Sequence, residues 1–226
     1  MINHHPDENL LLEYATGSLA WGVSLGVLAH IQMCQVCSHK LSHHQSLGGV
    51  LLNTSPQAPL SQGLLDSVLA KIQTSPSQVE SVPEPETPTV VHTDPLLQTI
   101  PAIVRKLLPK TLPIKWNRVS ADLKTAYLES GQNDVEVAFQ RIGRGGRVVE
   151  HGHRGMEYTL VLAGSFSDES GAYVAGDFLV RRPGDVHRPT ATLDQDCLCL
   201  SVVEAPVKIT GWLGWFINPF LRIHPA

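Results

Sequence analysis

The sequence has little of what several classes of protein require. Its 226 residues include four cysteines, too few for a disulfide-rich scaffold. It has no run of about 18–20 apolar residues, so we expect no transmembrane helix and no membrane partner. Its N-terminus lacks a basic segment followed by an apolar one, so we expect no secretory signal and a cytoplasmic, reducing location.

Positive charge is also scarce, with a formal net charge of −4 at pH 7. Residues 1–73 carry two basic and four acidic residues, and residues 74–100 carry four acidic residues and no basic one. No segment forms a basic patch that could neutralise phosphates. We therefore expect no direct binding to nucleic acid.

Apolar residues recur at helical spacing in the first third of the chain and predict four helices, over residues 7–17, 19–32, about 34–52 and 60–73. The second is apolar on several sides, which indicates burial on several sides or a partner. The fourth is amphipathic, with Leu64, Leu65, Val68 and Leu69 on one face. That face needs a cover, either from its own domain or from a protein partner.

Two changes of composition divide the chain. Residues 74–100 are rich in proline, serine, threonine and acidic residues, which is typical of a stiff, solvated linker. Beyond residue 100 the apolar residues form short alternating runs between turns, which predict a sandwich or small barrel. The predicted fold is an α + β multidomain protein, with a four-helix module at 1–73, a Pro-rich linker at 74–100 and an all-β domain at 101–226.

The run His30-x3-Cys34-x2-Cys37 brings three metal-ligand side chains within reach of one point. Two thiolates and an imidazole suit Zn²⁺, which prefers a tetrahedral set of sulfur and nitrogen ligands. A closed structural site needs a fourth ligand, for which His4 and His5 are the candidates. The alternative is a buried thiol pair beside an unrelated histidine.

A second cluster of ligand residues lies in the predicted β domain. His151 and His153 are two residues apart, so on a strand they point to the same face, and Glu157 can return on the adjoining strand. A turn after Arg182 delivers His187. Three imidazoles and a carboxylate suit Zn²⁺, Fe²⁺, Mn²⁺ or Ni²⁺, and the spacing does not choose among them.

Cys197 and Cys199 share one face of a further predicted strand. One interpretation is that they are two small core residues. The other is an oxidisable pair near the second metal site, where a neighbouring cation would lower the thiol pKa. A disulfide between them would be strained, so formation of a sulfenate or exchange of a metal ligand is the chemistry expected of such a pair.

The run G-x5-H-x-H-x3-E-x6-G from Gly145 to Gly164 resembles the first motif of the cupins. The segment from Gly184 to His187 fits their second motif more loosely, because Ala191 stands where asparagine is usual. The resemblance implies that the β domain is a cupin barrel holding Zn²⁺ or another divalent metal (Fe, Mn or Ni).

A zinc-binding helical module, a linker and a cupin together resemble the ChrR-type anti-sigma factors, over nearly the whole chain. The resemblance implies that His5, rather than His4, completes the zinc site. It also implies that residues 1–73 bind and inhibit an extracytoplasmic-function sigma factor. The cupin would sense oxidative stress, such as singlet oxygen or organic hydroperoxides, and release the sigma factor. The protein expected from this resemblance is not an enzyme.

Two other functions are compatible with the same residues. A cupin with three histidines, a glutamate and Fe²⁺ could be a small-molecule dioxygenase with an N-terminal zinc docking domain. A DNA-binding regulator with a cupin effector domain is the third hypothesis. The shortage of basic residues in 1–73 argues against that third hypothesis.

Overall fold

The computed structural model describes residues 1–74, 94–108, 113–128, 131, 134–211, 214–215 and 218–223. Most of the predicted linker therefore lies outside the described residues. The helices form where the sequence predicts them, and two short ones follow: α1 (Glu8–Thr16), α2 (Trp21–Met33), α3 (Gln35–Thr54), α4 (Leu64–Thr74), α5 (Pro95–Gln98) and α6 (Ala102–Arg105).

Local chemistry sets the limits of the first helix. The Asp7 carboxylate accepts a hydrogen bond from the Leu10 N–H at 2.9 Å, which satisfies a free donor of the first turn. Gly17 ends the helix in the left-handed conformation, with φ of 73°, and its N–H bonds back to Tyr14. The chain can therefore turn sharply into α2.

Twelve strands are present in the described part of the β domain. They are β1 (Asn117–Arg118), β2 (Leu123–Tyr127), β3 (Glu136–Ile142), β4 (His151–Gly152), β5 (Glu157–Ala163), β6 (Ser165–Asp168), β7 (Gly171–Val174), β8 (Phe178–Arg181), β9 (Val186–His187), β10 (Thr190–Ala191), β11 (Cys197–Val203) and β12 (Lys208–Ile209). A 3₁₀ helix spans Asn218–Phe220. A six-stranded sheet has the order β1-β2-β3-β11-β5-β8, and two three-stranded sheets have the orders β10-β6-β7 and β12-β4-β9.

The central strand β11 shows how the six-stranded sheet is buried on both faces. Cys197 and Cys199 belong to the core that the sheets enclose, which we call the inside of the barrel. Leu198, Leu200 and Val202 belong to a second core, outside the barrel. Because successive side chains on a strand point to opposite faces, the two cores lie on opposite sides of the sheet.

Helix α2 covers the outer face of that sheet. Val23, Leu25, Val27 and Ala29 are buried in the same core as the outward-facing residues of β3, β5 and β11. A Cβ added at Gly22 would lie 2.9 Å from the Val137 side chain, so helix and sheet approach closely there. The N-terminal helices and the barrel thus share one apolar core.

The segment from α5 to residue 108 adds Leu97, Ile100, Val104 and Leu108 to this core. Among the described helices, none is by itself long and apolar enough to cross a membrane. Only α1 and α2 taken together, bent by 111° at their junction, have the required length and composition.

Candidate metal centres

The N-terminal cluster consists of His5, His30, Cys34 and Cys37, whose ligand atoms lie within 4.8 Å of one another. His30 lies in the last turn of α2, Cys34 joins α2 to α3, and Cys37 lies in the first turn of α3. His5 comes from the extended segment before α1. The structure therefore brings together the four side chains that the sequence analysis selected.

The distances in this cluster fit a tetrahedral zinc site. His5 Nδ1 lies 3.4 Å from His30 Nε2, from Cys34 Sγ and from Cys37 Sγ. With Zn–N of about 2.0–2.1 Å and Zn–S of about 2.3 Å, the edges of a tetrahedron measure roughly 3.3–3.8 Å. One cation can therefore contact all four atoms.

The charge states of the His30 and Cys37 side chains also fit a cation bound in this cluster. Burial lowers the pKa of His30 to about 4, so its imidazole is neutral at neutral pH. Its Nδ1–H donates to the Gly176 carbonyl at 2.7 Å, which leaves Nε2 free to coordinate. Burial and the neighbouring Cys34 sulfur raise the pKa of Cys37 to about 12. A thiolate here needs a compensating positive charge.

His4, the other candidate for the fourth ligand, lies outside the cluster. Its backbone N–H donates to Asp177 Oδ1 at 2.9 Å, and its ring packs edge to face on Tyr173 at 4.8 Å between ring centroids. His5 is thus the histidine of the pair that faces the two cysteines.

The barrel cluster consists of His151, His153, Glu157 and His187, all buried, with ligand atoms within 4.8 Å of one another. Strands β4 and β9 pair in register at His151 and His187. His153 follows β4, and Glu157 opens β5. Residues that are far apart in sequence meet here because three strands converge inside the barrel.

Hydrogen bonds fix the tautomers of two of these rings. His151 Nδ1–H donates to the Val149 carbonyl at 2.9 Å, and His187 Nδ1–H donates to Asp168 Oδ2 at 3.0 Å. Their Nε2 atoms face each other at 3.1 Å. Two unprotonated nitrogens cannot hydrogen-bond to each other, so a cation between them is the arrangement that satisfies both.

The remaining pair of this cluster supports the same conclusion. His153 Nε2 and Glu157 Oε2 are buried and have no hydrogen-bond partner in the described part of the chain. Burial is also the main cause that lowers the pKa of His151 and His153, so both rings stay neutral. Neutral imidazoles and a carboxylate are the ligand set that divalent transition metals accept, although the geometry does not select one metal.

Asp168 supports the barrel cluster from outside it, and no pattern in the sequence predicts this contact. Its side chain is fully buried and accepts hydrogen bonds from His187, from the Tyr173 hydroxyl at 3.1 Å and from Arg181 at 2.5 Å. Burial alone would raise the pKa of Asp168, but hydrogen bonds from His187 and the Ser170 N–H outweigh it, so the pKa lies below its ordinary value. Its contact with His187 spans 19 residues and has no sequence motif.

Cys197 and Cys199 pack in the barrel interior, with their sulfur atoms 3.7 Å apart. The hydrogen bond to Cys197, burial and the charge of Glu157 raise the pKa of Cys199 well above its ordinary value. Both side chains are therefore core residues in this geometry. A role as an oxidisable pair stays a prediction.

The fold and its two ligand clusters define a class of protein. Its members have N-terminal helices with a thiolate–imidazole cluster, packed on a cupin-like barrel that holds a second cluster. A family model described as the ChrR cupin-like domain matches residues 105–207. Over 223 residues the chain is 32% identical to the anti-sigma-E factor ChrR of Cereibacter sphaeroides, covering 98% of this chain and 99% of that protein. The chain therefore belongs to the ChrR family.

A solved structure agrees with this assignment. The chain resembles a chain in the crystal structure of Rhodobacter sphaeroides SigE in complex with the anti-sigma ChrR, with a TM-score of 0.72 and 30% identity. The match covers 90% of this chain and 100% of that one. The predicted combination of N-terminal helices with a C-terminal cupin-like domain is confirmed.

Proposed function

We propose that this chain is an anti-sigma factor that binds and inhibits an extracytoplasmic-function sigma factor. Its similarity to an anti-sigma-E factor extends over nearly the full length of both chains, which supports a shared function. The related solved structure is a complex with a sigma factor, which supports the same class of partner. The expectation that the chain is a regulator and not an enzyme agrees with both of these relatives.

The observation that carries this proposal is an uncovered apolar surface on α3 and α4. We call it the apolar stripe, and its side chains are 43–76% exposed: Leu47, Val50, Leu51, Leu52, Leu64, Leu65, Val68, Leu69 and Ile72. This many exposed apolar side chains on two consecutive helices indicate a protein interface. A sigma factor is the occupant that the family relationship supports.

The two metal centres have different roles in the proposal. Zn²⁺ at His5, His30, Cys34 and Cys37 is structural, and it fixes the angle between α2 and α3 on which the apolar stripe depends. A divalent metal in the barrel cluster (Zn²⁺, Fe²⁺, Mn²⁺ or Ni²⁺) belongs to the part that senses singlet oxygen or organic hydroperoxides. The sensed change releases the sigma factor.

Co-purification tests the proposal. The full chain is co-expressed with an extracytoplasmic-function sigma factor from the same genome, and the stoichiometry and metal content of the product are measured. We expect a one-to-one complex with one metal ion for each of the two clusters. A chain that stays alone with every such sigma factor, or that consumes oxygen with bound iron, would contradict the proposal.

Two substitutions separate the two roles. Cys34→Ala removes a ligand of the N-terminal centre and should abolish sigma binding. His151→Ala should leave sigma binding intact at saturating Zn²⁺ and blunt release when an organic hydroperoxide is added. If His151→Ala abolished binding instead, the division of roles would be wrong.

A further inference from the structure

Residues 3–5, which we call the N-terminal arm, are attached to the barrel. The N–H groups of Asn3 and His4 both donate to Asp177 Oδ1, at 2.7 and 2.9 Å, and the His4 carbonyl accepts from the Phe178 N–H at 3.0 Å. Asp177 is fully buried, and its other oxygen accepts from the Val174 N–H at 2.9 Å. The arm is thus fixed to the turn between β7 and β8.

The same turn orients a second ligand of the N-terminal cluster. The Gly176 carbonyl accepts the Nδ1–H of His30, and the Phe178 ring packs on that imidazole at 5.9 Å between ring centroids. His5 follows directly after His4 in the arm. Two of the four N-terminal ligands are therefore positioned by the barrel and not by the helices alone.

Tyr173, at the other side of this turn, reaches the barrel cluster. Its hydroxyl donates to Asp168 Oδ1, and Asp168 Oδ2 accepts from the Nδ1–H of His187. Arg181 donates to both Asp168 and the Tyr173 hydroxyl, which holds the two together. The ring of Tyr173 contacts the His4 ring.

A short path of direct contacts therefore joins the two clusters, from His187 through Asp168 and Tyr173 to His4 and its neighbour His5. Tyr173 is 3% exposed and the Asp168 side chain is fully buried, so neither can move without displacing its neighbours. A path of this kind can transmit a change only if its groups shift together, which a coupling measurement can detect.

We propose that this path couples the two metal centres, so that the state of the barrel centre changes how firmly the N-terminal centre holds its metal. By linkage, metal at the N-terminal centre must affect the barrel centre to the same extent. The inference rests on the proposed function in that both clusters hold metal. It provides a route from the barrel to the sigma-binding helices that does not pass through residues 74–100.

The test follows metal loss at the N-terminal centre of the full-length, Zn²⁺-loaded chain. A chelator and an alkylating reagent are added, and alkylation of Cys34 and Cys37 is followed peptide by peptide with mass spectrometry. His151→Ala removes one ligand of the barrel centre, the one that faces His187, and leaves every residue of the path from His187 to His5 unchanged. We expect it to speed alkylation of the two cysteines about fivefold or more, the lower end of typical coupling between sites.

Cutting the path should remove this effect. Tyr173→Phe loses the hydroxyl bond to Asp168 and keeps the ring, and His4→Ala cuts the path at the arm. In either background, His151→Ala should change the alkylation rate by less than about twofold, as for independent sites. Amide hydrogen exchange at residues 3–5 gives a second measurement that does not use cysteine alkylation. His151→Ala should raise this exchange when the path is intact and not when the path is cut.

Ser165→Ala is the matched control, because it removes one hydroxyl hydrogen bond, to Thr192 at 2.9 Å, from the strand that carries Asp168. In that background the effect of His151→Ala should persist. The proposal is overturned if His151→Ala has no effect in the wild type or has the same effect in the Tyr173→Phe background.

Sigma binding by the same proteins at saturating Zn²⁺ separates the two proposals. A fivefold faster loss of metal leaves the centre loaded under those conditions. Sigma binding without coupling therefore refutes the path alone. Coupling without sigma binding refutes the anti-sigma function and leaves the path intact.

Discussion

At the scale of single residues, the barrel centre depends on a side chain that does not contact the metal position. Asp168 accepts a hydrogen bond from the Nδ1–H of His187, so the ring presents Nε2 to the cluster. Without this carboxylate the ring could turn or change tautomer. Partners of this kind orient metal-bound histidines and increase their basicity.

Asp168→Asn should therefore weaken metal binding in the barrel. An amide supplies one acceptor, whereas the carboxylate accepts from His187, Arg181 and Tyr173. We expect the metal affinity of the barrel cluster to fall by about 10–100-fold. Competitive titration against a chromophoric chelator measures it.

Glu169→Gln is the control for this substitution. Glu169 is the neighbouring exposed carboxylate, and its side chain accepts a hydrogen bond from the Arg188 N–H. The change removes the same charge without touching a cluster residue. Equal losses in Asp168→Asn and Glu169→Gln would mean that charge alone, and not the orientation of His187, controls affinity.

The sequence predicts much of which side chains lie together in the two clusters, because part of their spacing is local, and their role as metal ligands stays a prediction. His151 and His153 lie on one strand face, and His30 and Cys34 are one helical turn apart. His5 was selected over His4 only through the family resemblance, because spacing leaves both within reach. Asp168 and Tyr173 were not predicted, since their contacts depend on how separate strands pack.

At the scale of secondary structure, α2 is the element that joins the helices to the barrel. It is buried on several sides, as its uniform apolar pattern predicts, and Gly22 lets it approach the sheet. A larger residue at this position would have to separate the two surfaces.

Gly22→Ala should therefore destabilise the protein. The added methyl group would meet Val137 at 2.9 Å and Val202 at 3.1 Å, so the helix must shift. Overpacking of this kind costs about 1–3 kcal/mol.

Gly48→Ala, in α3, is the control. It has no atom within 4 Å of the new methyl and should instead stabilise the protein by about 0.5–1 kcal/mol. Urea denaturation of both variants measures the two effects, and a loss of stability in both would argue against the close contact.

An ion-pair group joins the start of α5 to the barrel, and its contribution to the stability of the protein should depend on pH. Arg141 donates to Asp196 at 2.7 Å and also pairs with Asp94. Burial alone would raise the pKa of Asp196, but hydrogen bonds from the Arg144 N–H and from Arg141 outweigh it, so the pKa lies below its ordinary value of 3.8.

A lowered pKa means that the carboxylate stabilises the fold above pH 3.8 and loses this contribution as the pH falls through the lower pKa of the folded state. At neutral pH, Asp196→Asn should be less stable than the wild type by about 1–2 kcal/mol. The difference in unfolding free energy should be constant down to about pH 5 and shrink toward about pH 3. A difference that does not change over this range would mean that Asp196 is not ionised in the folded protein.

The strands were predicted less completely than the helices. Residues 147–151 have a β-rich composition, but Arg147 makes one isolated bridge to Thr190, and regular pairing begins at His151. Strand β6 has no alternating apolar pattern that would predict it, because Phe166 is its one apolar residue. Its serine hydroxyls and Asp168 are satisfied by tertiary hydrogen bonds that no local pattern reveals.

At the scale of the whole molecule, the helices and the barrel are joined by a shared core as well as by the chain. The sequence indicates that α2 is covered on several sides, but it does not show which surface covers it, because no local pattern links α2 to the sheet. The limits 1–73, 74–100 and 101–226 stay a prediction. The apolar stripe of α3 and α4 lies outside that core, because its side chains are 43–76% exposed.

A substitution in the stripe can therefore separate the binding of a sigma factor from the stability of the free chain. Leu65 lies on α4 and is 69% exposed, so Leu65→Glu should change the stability of the free chain by less than about 0.5 kcal/mol. If a sigma factor covers the stripe, the same change buries a charge in the complex and should weaken binding at least about tenfold.

Ser67→Glu is the control, because it adds the same charge to the exposed polar side of α4. It should leave the affinity within about twofold. Thermal denaturation of the free chains and titration with the sigma factor measure both quantities. Weakening by both substitutions would indicate a general charge effect, and weakening by neither would place the sigma factor elsewhere on the molecule.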